Sequence, residues 1–258
     1  MLNAQLSYFE PAELEILSKD YRLCQNSTSD SSLSVPAREL LDIEKCQAYL
    51  EQAADIFSTS AKAAAASQFS KRYAYLTMAS GLYAMTMFNK GLNYAIENCR
   101  IESVFQGSSW LPEVSLTDCQ VTQPPEEGRT EWRDRIITSI FAENIAKVWC
   151  SISKAARIPT SILWENMAIS VYWLYEQRMV EEATEEQKLR IQADFHYLLY
   201  EAPAHLFGEK ENPLTKFNNS HMVMTASNIP KRKRKTCCLL YKVSQEHDYC
   251  TTCPLRKE

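Results

Sequence analysis

Four cysteines fall within seventeen residues near the end of the chain: Cys237, Cys238, Cys250 and Cys253, in the string TCCLLYKVSQEHDYCTTCP. Thiolates are soft donors that select zinc, copper(I) or iron–sulfur clusters. A Cys-x2-Cys pair lets two sulfurs converge from a tight turn. Four sulfurs complete the shell of a tetrahedral zinc or of a [2Fe–2S] cluster. The adjacent pair Cys237–Cys238 bears on the choice. Zinc ribbons space both halves by two to four residues, whereas side chains of neighbouring residues diverge and suit a wider, two-iron centre. Iron–sulfur is therefore favoured over zinc. A redox or vicinal disulfide remains open as a strained alternative. So does a thioredoxin-like use of Cys250 and Cys253, which asks for a helix N-terminus in a βαβ setting. His247 could replace one thiolate, as histidines do in Rieske centres, but a solvent-facing loop histidine is the simpler reading. The remaining cysteines, Cys24, Cys46, Cys99, Cys119 and Cys150, have no partner spacing and read as packing residues.

Five cations, KRKRK at 231–235, directly precede this cluster of thiols. A nuclear-localisation or nucleic-acid tract is one reading and a solvated charge run another. The third is counter-charge to the thiolates. Cations beside an anionic cluster stabilise its reduced form and draw an anionic substrate towards it. Lys231, Arg232, Lys233 and Arg234 are the candidates for that role. Trp164, Tyr172, Trp173 and Arg178, on the helical segment before the run, could line a pocket; the plainer reading of those aromatics is core packing.

The rest of the chain excludes several other chemistries. It has 258 residues, a formal charge of -4 and 45% hydrophobic residues, enough for the core of one large domain or two small ones. Its five glycines are scattered, so a dinucleotide fingerprint, a phosphate loop and a nucleophile elbow are absent. The four histidines make no HExxH helix. Mild acidity gives no general reason to expect nucleic acid. The first residues, MLNAQLSYFEPAELEIL, lack the form of a secretory signal, and an odd number of cysteines argues against a disulfide framework; both suit a reducing cytosol. The uncharged window 73–88 falls short of the roughly 20 residues that a membrane span needs and reads as a buried helix.

The elements that must position the cysteines are mostly helical. Pro11 can open a helix. Pro36 can open a second, with Leu40, Ile43, Leu50, Ala54 and Phe57 at three- and four-residue steps. A long helix runs from the alanines at 61–66 through Phe69, Tyr73, Leu76, Tyr83 and Met87. Alternating residues at 101–106 and 112–122 predict a β-hairpin. Thr130 can cap a helix that carries Trp132, Ile136, Ile140 and Trp149 and ends before Pro159. Further helices are expected from Ser161 to Arg178 and, behind a capping box of Thr184 and Gln187, to about Tyr200. Residues 26–34 and the stretch after Pro203 read as loop. The expected fold is α+β and predominantly helical. A body over 1–230, with a small antiparallel hairpin at about 100–122, would carry a loop-like cluster-binding segment, 231–258, packed on it.

At these residues the chain resembles the FhuF-type siderophore-iron reductases. The resemblance rests on Arg234-Lys235-Thr236-Cys237-Cys238, Tyr241 and Cys250-x2-Cys253. Residues 162–176, ILWENMAISVYWLYE, and Glu211-Asn212-Pro213-Leu214 extend it upstream, and it is clear over about 160–258. One departure is visible: eleven residues separate the two cysteine pairs where the family has about ten. The resemblance implies a [2Fe–2S] cluster on Cys237, Cys238, Cys250 and Cys253, and one-electron reduction of a ferric siderophore in the cytoplasm with release of Fe(II). No flavin or nicotinamide motif appears, so an external donor such as a ferredoxin or flavodoxin is expected, with no nucleic acid and no transmembrane segment. A monomer is expected, at most loosely associated with the inner face of the membrane. Two other functions stay open on sequence alone: a zinc-stabilised module that touches nucleic acid through KRKRK, and an iron–sulfur redox sensor without turnover.

Overall fold

The computed structural model describes residues 4–24, 33–107, 109–181, 183–224, 230–244, 246 and 248–256. Among them, short local rules set the helix boundaries. Pro11 opens α1 (Pro11–Lys19), where its missing N–H is not needed, and Glu10 and Glu13 close a capping box around it. Helix α2 (Ile43–Ile56) starts later than its first proline suggests. Pro36 lies in a two-residue strand before a 3-10 turn, Ala37–Leu41, and Asp42 opens the helix by accepting from the amides of Glu44 and Lys45. Helix α3 (Lys62–Tyr83) runs on into a π turn, Ala84–Phe88. Helices α4 (Arg129–Ile140) and α5 (Ala146–Ala156) are joined by another π turn, Phe141–Ile145. Gly128, at φ 115°, precedes α4, so the expected cap at Thr130 is displaced by a residue suited to left-handed backbone. Helix α6 is Thr160–Glu176. Helix α7 (Glu185–His196) has the expected capping box and continues into the π turn Tyr197–Glu201. Asn212 caps the short α8, Pro213–Phe217.

The expected hairpin over 100–122 is present. Strand β4 (Cys99–Glu102) pairs antiparallel with β7 (Glu113–Leu116), and a smaller ladder, β5 (Phe105–Gln106) with β6 (Ser109–Trp110), lies inside it. Two short strands enlarge it into a four-stranded sheet. Strand β3 (Val35–Pro36) adds antiparallel to β4, and β2 (Leu23–Cys24) adds parallel to β7. Strands β1 (Gln5–Ser7) and β8 (Val121–Gln123) pair beside them, and β9 (Met222–Met224) pairs with β10 (Pro230–Arg232) ahead of the cysteines. The architecture is α+β and mainly α. Most of the polar stretch 26–34, residues 26–32, lies outside the described residues, as does His247.

Helix α3 is the axis of the core. It is buried on nearly all sides and packs most extensively against α6. The uncharged window 73–88 is thus interior, and no helix among the described residues is long and apolar enough to cross a membrane. Gly81 lets α3 approach α4: a Cβ there would sit 2.8 Å from Ile140 Cδ1. A buried charge locks the far end of the bundle. Asp194 on α7 is fully buried. It accepts two bonds from Arg129, at 2.7 and 2.8 Å, one from Arg133 at 3.1 Å and one from Thr86 at 3.0 Å. Removing one partner of a buried pair costs roughly 3–5 kcal/mol, because the other is left without its counter-ion. Asp194→Ala is therefore expected to lower the unfolding free energy by roughly that amount. Urea denaturation followed by circular dichroism measures it, and a loss below about 1 kcal/mol would mean the arginines find other partners.

Candidate metal centre

The four C-terminal cysteines come together. Cys238 Sγ lies 3.7 Å from Cys250 Sγ, and Cys253 Sγ lies 3.7 Å from Cys237 Sγ. Two sulfurs on one tetrahedral metal, each about 2.3 Å from it, are about 3.8 Å apart. Each close pair is thus spaced as two ligands of one ion, and each draws one sulfur from the adjacent pair and one from the Cys-x2-Cys turn. Among the described residues no three His, Cys, Asp or Glu side chains converge as ligands of a single ion. Two such pairs, each spaced for one ion, suit two irons, so the donor set fits a [2Fe–2S] cluster.

Local backbone sets this arrangement. Cys250 and Cys253 close a turn through a 3.0 Å bond from the Cys253 amide to the Cys250 carbonyl. After the adjacent pair, Leu239 takes a left-handed conformation at φ 59°, and its amide donates to Cys237 Sγ at 3.4 Å. An apolar residue in this region costs conformational energy, and such costs persist where surrounding contacts over-determine the backbone.

Those contacts come from α3 and α6. Glu165 and Asn166 are both 1% exposed on α6. The Glu165 carboxylate accepts from the Lys235 amide at 2.6 Å, from the Thr236 amide at 2.7 Å and from the Thr236 hydroxyl. Arg234 completes the clasp: its guanidinium donates to Asn166 Oδ1 at 2.7 Å and stands 3.6 Å from Glu165. The Arg234 amide also bonds the Thr252 carbonyl at 2.9 Å, tying the basic run to the second cysteine turn. On α3, Ser67 and Gln68 donate to the Cys238 carbonyl at 2.7 and 2.8 Å. The amide of Asn166 reaches back to Ser67 and Ser70, so both helices and the segment share one network.

The basic run is therefore divided. Arg234 is buried in the clasp and is not open to a solute. Arg232 is paired with Glu176 and lies over the Tyr172 ring, 4.7 Å from its centroid. Lys233 is half-buried and Lys231 exposed. The helical candidates divide too. Tyr172 and Trp173 line a cleft of about 280 Å³ with Glu176, Lys231, Arg232 and the Thr251–Thr252 turn between two of the cysteines. Trp164 is elsewhere: buried, it donates to Glu209 and borders a separate hollow. Arg178 pairs with Asp20 and Glu181.

The thiols differ in their acidity. Burial pushes Cys46 and Cys99 up to about 12. Cys238 goes the other way: its contact with the Cys250 sulfur, and then the Lys71 and Arg234 cations, hold it below the usual thiol range. That same contact, with burial, pushes Cys250 up. The cysteines away from the cluster are not uniformly packing residues as expected. Cys46 and Cys99 are buried, but Cys119 and Cys150 are exposed, Cys150 because it falls on the outer face of α5.

Residues 67–222 match the family model described as ferric iron reductase FhuF-like transporter. Residues 234–255 match that of the FhuF 2Fe-2S C-terminal domain. The chain belongs to the FhuF family. Its cofactor is accordingly a [2Fe–2S] cluster. The two matched regions begin on residues of the clasp, Ser67 and Arg234, so the contact just described joins the two parts of the FhuF pattern. No curated protein matches the chain. Sequence reasoning marked the cysteines and Arg234 but missed Ser67, Gln68, Lys71, Glu165 and Asn166. A signal was present for two of them: a carboxylate and an amide in the middle of the apolar helix ILWENMAI need buried partners.

Glu165→Ala would leave Arg234 buried without its counter-ion, a penalty of roughly 3–5 kcal/mol that falls on the cysteine segment. The expected outcome is unchanged helical circular dichroism, faster proteolysis within 230–256 and loss of bound iron. Full iron content with wild-type protease resistance would show that Glu165 does not hold the segment.

Proposed function

We propose that this FhuF-family chain reduces ferric siderophores by one electron and releases Fe(II). The cluster would be held by Cys237, Cys238, Cys250 and Cys253. When bound, a [2Fe–2S] cluster takes up and gives back one electron, the number that Fe(III) needs to become Fe(II). The observation that carries the reading is the two 3.7 Å sulfur pairs within a segment matching the family's 2Fe-2S domain. The segment from Arg234 onward holds the thiols, and the helical body provides its seat.

The cleft beside Thr251 and Thr252 is the docking place we assign to the chelate. Electron transfer needs proximity, and this cleft borders the turn between two ligand cysteines. Tyr172 and Trp173 offer aromatic faces to the organic arms of a siderophore. Glu176 neutralises Arg232 and fixes it over Tyr172, leaving Lys231 as the exposed cation of this wall. Siderophores grip iron through hard oxygen donors, which suit Fe(III) better than the softer Fe(II), so reduction itself loosens the chelate. No base or nucleophile is required of the protein. The sequence has no nucleotide-binding fingerprint, so the electron comes from outside, and a ferredoxin or flavodoxin in the cytoplasm is the donor type we assign.

Purified protein should be red-brown, with iron and acid-labile sulfide each about two per chain. Cys238→Ser should lose that spectrum. Stopped-flow mixing of the reduced protein with ferric siderophores should restore the cluster absorption at a rate set by siderophore concentration, with Fe(II) trapped by a colorimetric chelator. Colourless protein holding one zinc would reject the cluster, and a reduced cluster that no ferric siderophore reoxidises would leave a sensor in place of a reductase.

A further inference from the structure

The positive charge expected at the thiolates was sought in KRKRK, yet its two arginines are already neutralised. Arg232 meets Glu176 and Arg234 meets Glu165. A different cation lies beside the adjacent cysteine pair. Lys71 lies on α3, 167 positions before Cys238, and is half-buried. Its ammonium donates to Gln68 Oε1 at 3.1 Å, and the amide of Gln68 donates to the Cys238 carbonyl at 2.8 Å. Gln68 thus ties this ammonium to the backbone of a ligand cysteine. Among the described residues no carboxylate pairs with Lys71. A half-buried cation without a counter-ion is costly, and added negative charge at the neighbouring cluster would offset that cost.

We propose that Lys71, held beside Cys238 by Gln68, is a positioning residue for the redox centre: it supplies an uncompensated positive charge that makes the bound cluster easier to reduce. The inference rests on the cluster reading above. Its physical basis is that reduction adds one negative charge and that a fixed cation nearby stabilises that added charge. The electron itself comes from the external donor; Lys71 neither gives nor takes one. Gln68 makes the effect directional, because it holds the ammonium with its carbonyl end and the Cys238 backbone with its amide end.

The test is an equilibrium reductive titration of the loaded protein against dithionite with a reporter dye, on wild type, Lys71→Met and Lys71→Arg, with iron and sulfide assayed in each. Methionine keeps the length and apolar stem while removing the charge; arginine keeps the charge. The equilibrium constant for cluster reduction should fall at least threefold in K71M and stay within threefold of wild type in K71R. If K71M fails to load while K71R loads, charge at this position is required for the site and the inference stands. A loaded K71M with the wild-type equilibrium constant overturns it. So does failure of both variants to load, since the site would then need the shape of lysine rather than its charge. Wild-type protein without iron and sulfide is a different outcome: it rejects the cluster reading itself and the inference with it.

Discussion

A single carboxylate, Glu165, holds the chemistry to the fold. It sits on the most buried helix of the molecule's second half and accepts from two consecutive backbone amides immediately before the adjacent cysteines. Buried charge is normally expensive, and here the cost is met by Arg234 and by three donors of the segment, the Lys235 and Thr236 amides and the Thr236 hydroxyl. The rest follows from that seat. With Lys235 and Thr236 fixed, Cys237 and Cys238 enter at a set height, Leu239 must turn left-handed, and Cys250 and Cys253 are brought against them by the Arg234–Thr252 bond.

Polar attachment also explains why the site is specific without a core of its own. The cysteine segment has few buried apolar side chains, so the hydrophobic effect orients it only weakly. Directional bonds do the orienting: Glu165, Asn166, Ser67 and Gln68 present acceptors and donors at fixed spacing along two helices that pack rigidly together. Metal coordination would add to this, since ligand binding stabilises the state that has the ligands assembled.

Much of this was legible in the sequence, and the limits have physical reasons. The thiols and their grouping were visible because ligand chemistry needs particular residue types at short spacing. Helix α7 and the hairpin were visible because capping boxes and alternation are local. The start of α2 was misjudged because Pro36 and Asp42 both suit a helix start, and only tertiary contact decides between a strand residue and a first turn. Arg234 was read as a surface cation because a run of five like charges hides the one member that turns inward. Ser67, Gln68 and Lys71 were out of reach for a stronger reason: nothing in an alanine-rich helix says which face will meet a segment far along the chain. The cross-pairing of the sulfurs is likewise a property of two turns meeting, not of either turn.

The separation between the seat and what it holds has a consequence for assembly. Ser67 and Cys238 are 171 positions apart. Closing so long a loop is entropically slow, and contacts of that kind form after local ones. The helical platform, with its amide, hydroxyl and carboxylate groups already aimed, can therefore be complete while the cysteines are still free in solution. A cluster could be delivered to an open, accessible set of thiols and then be drawn down onto a finished surface.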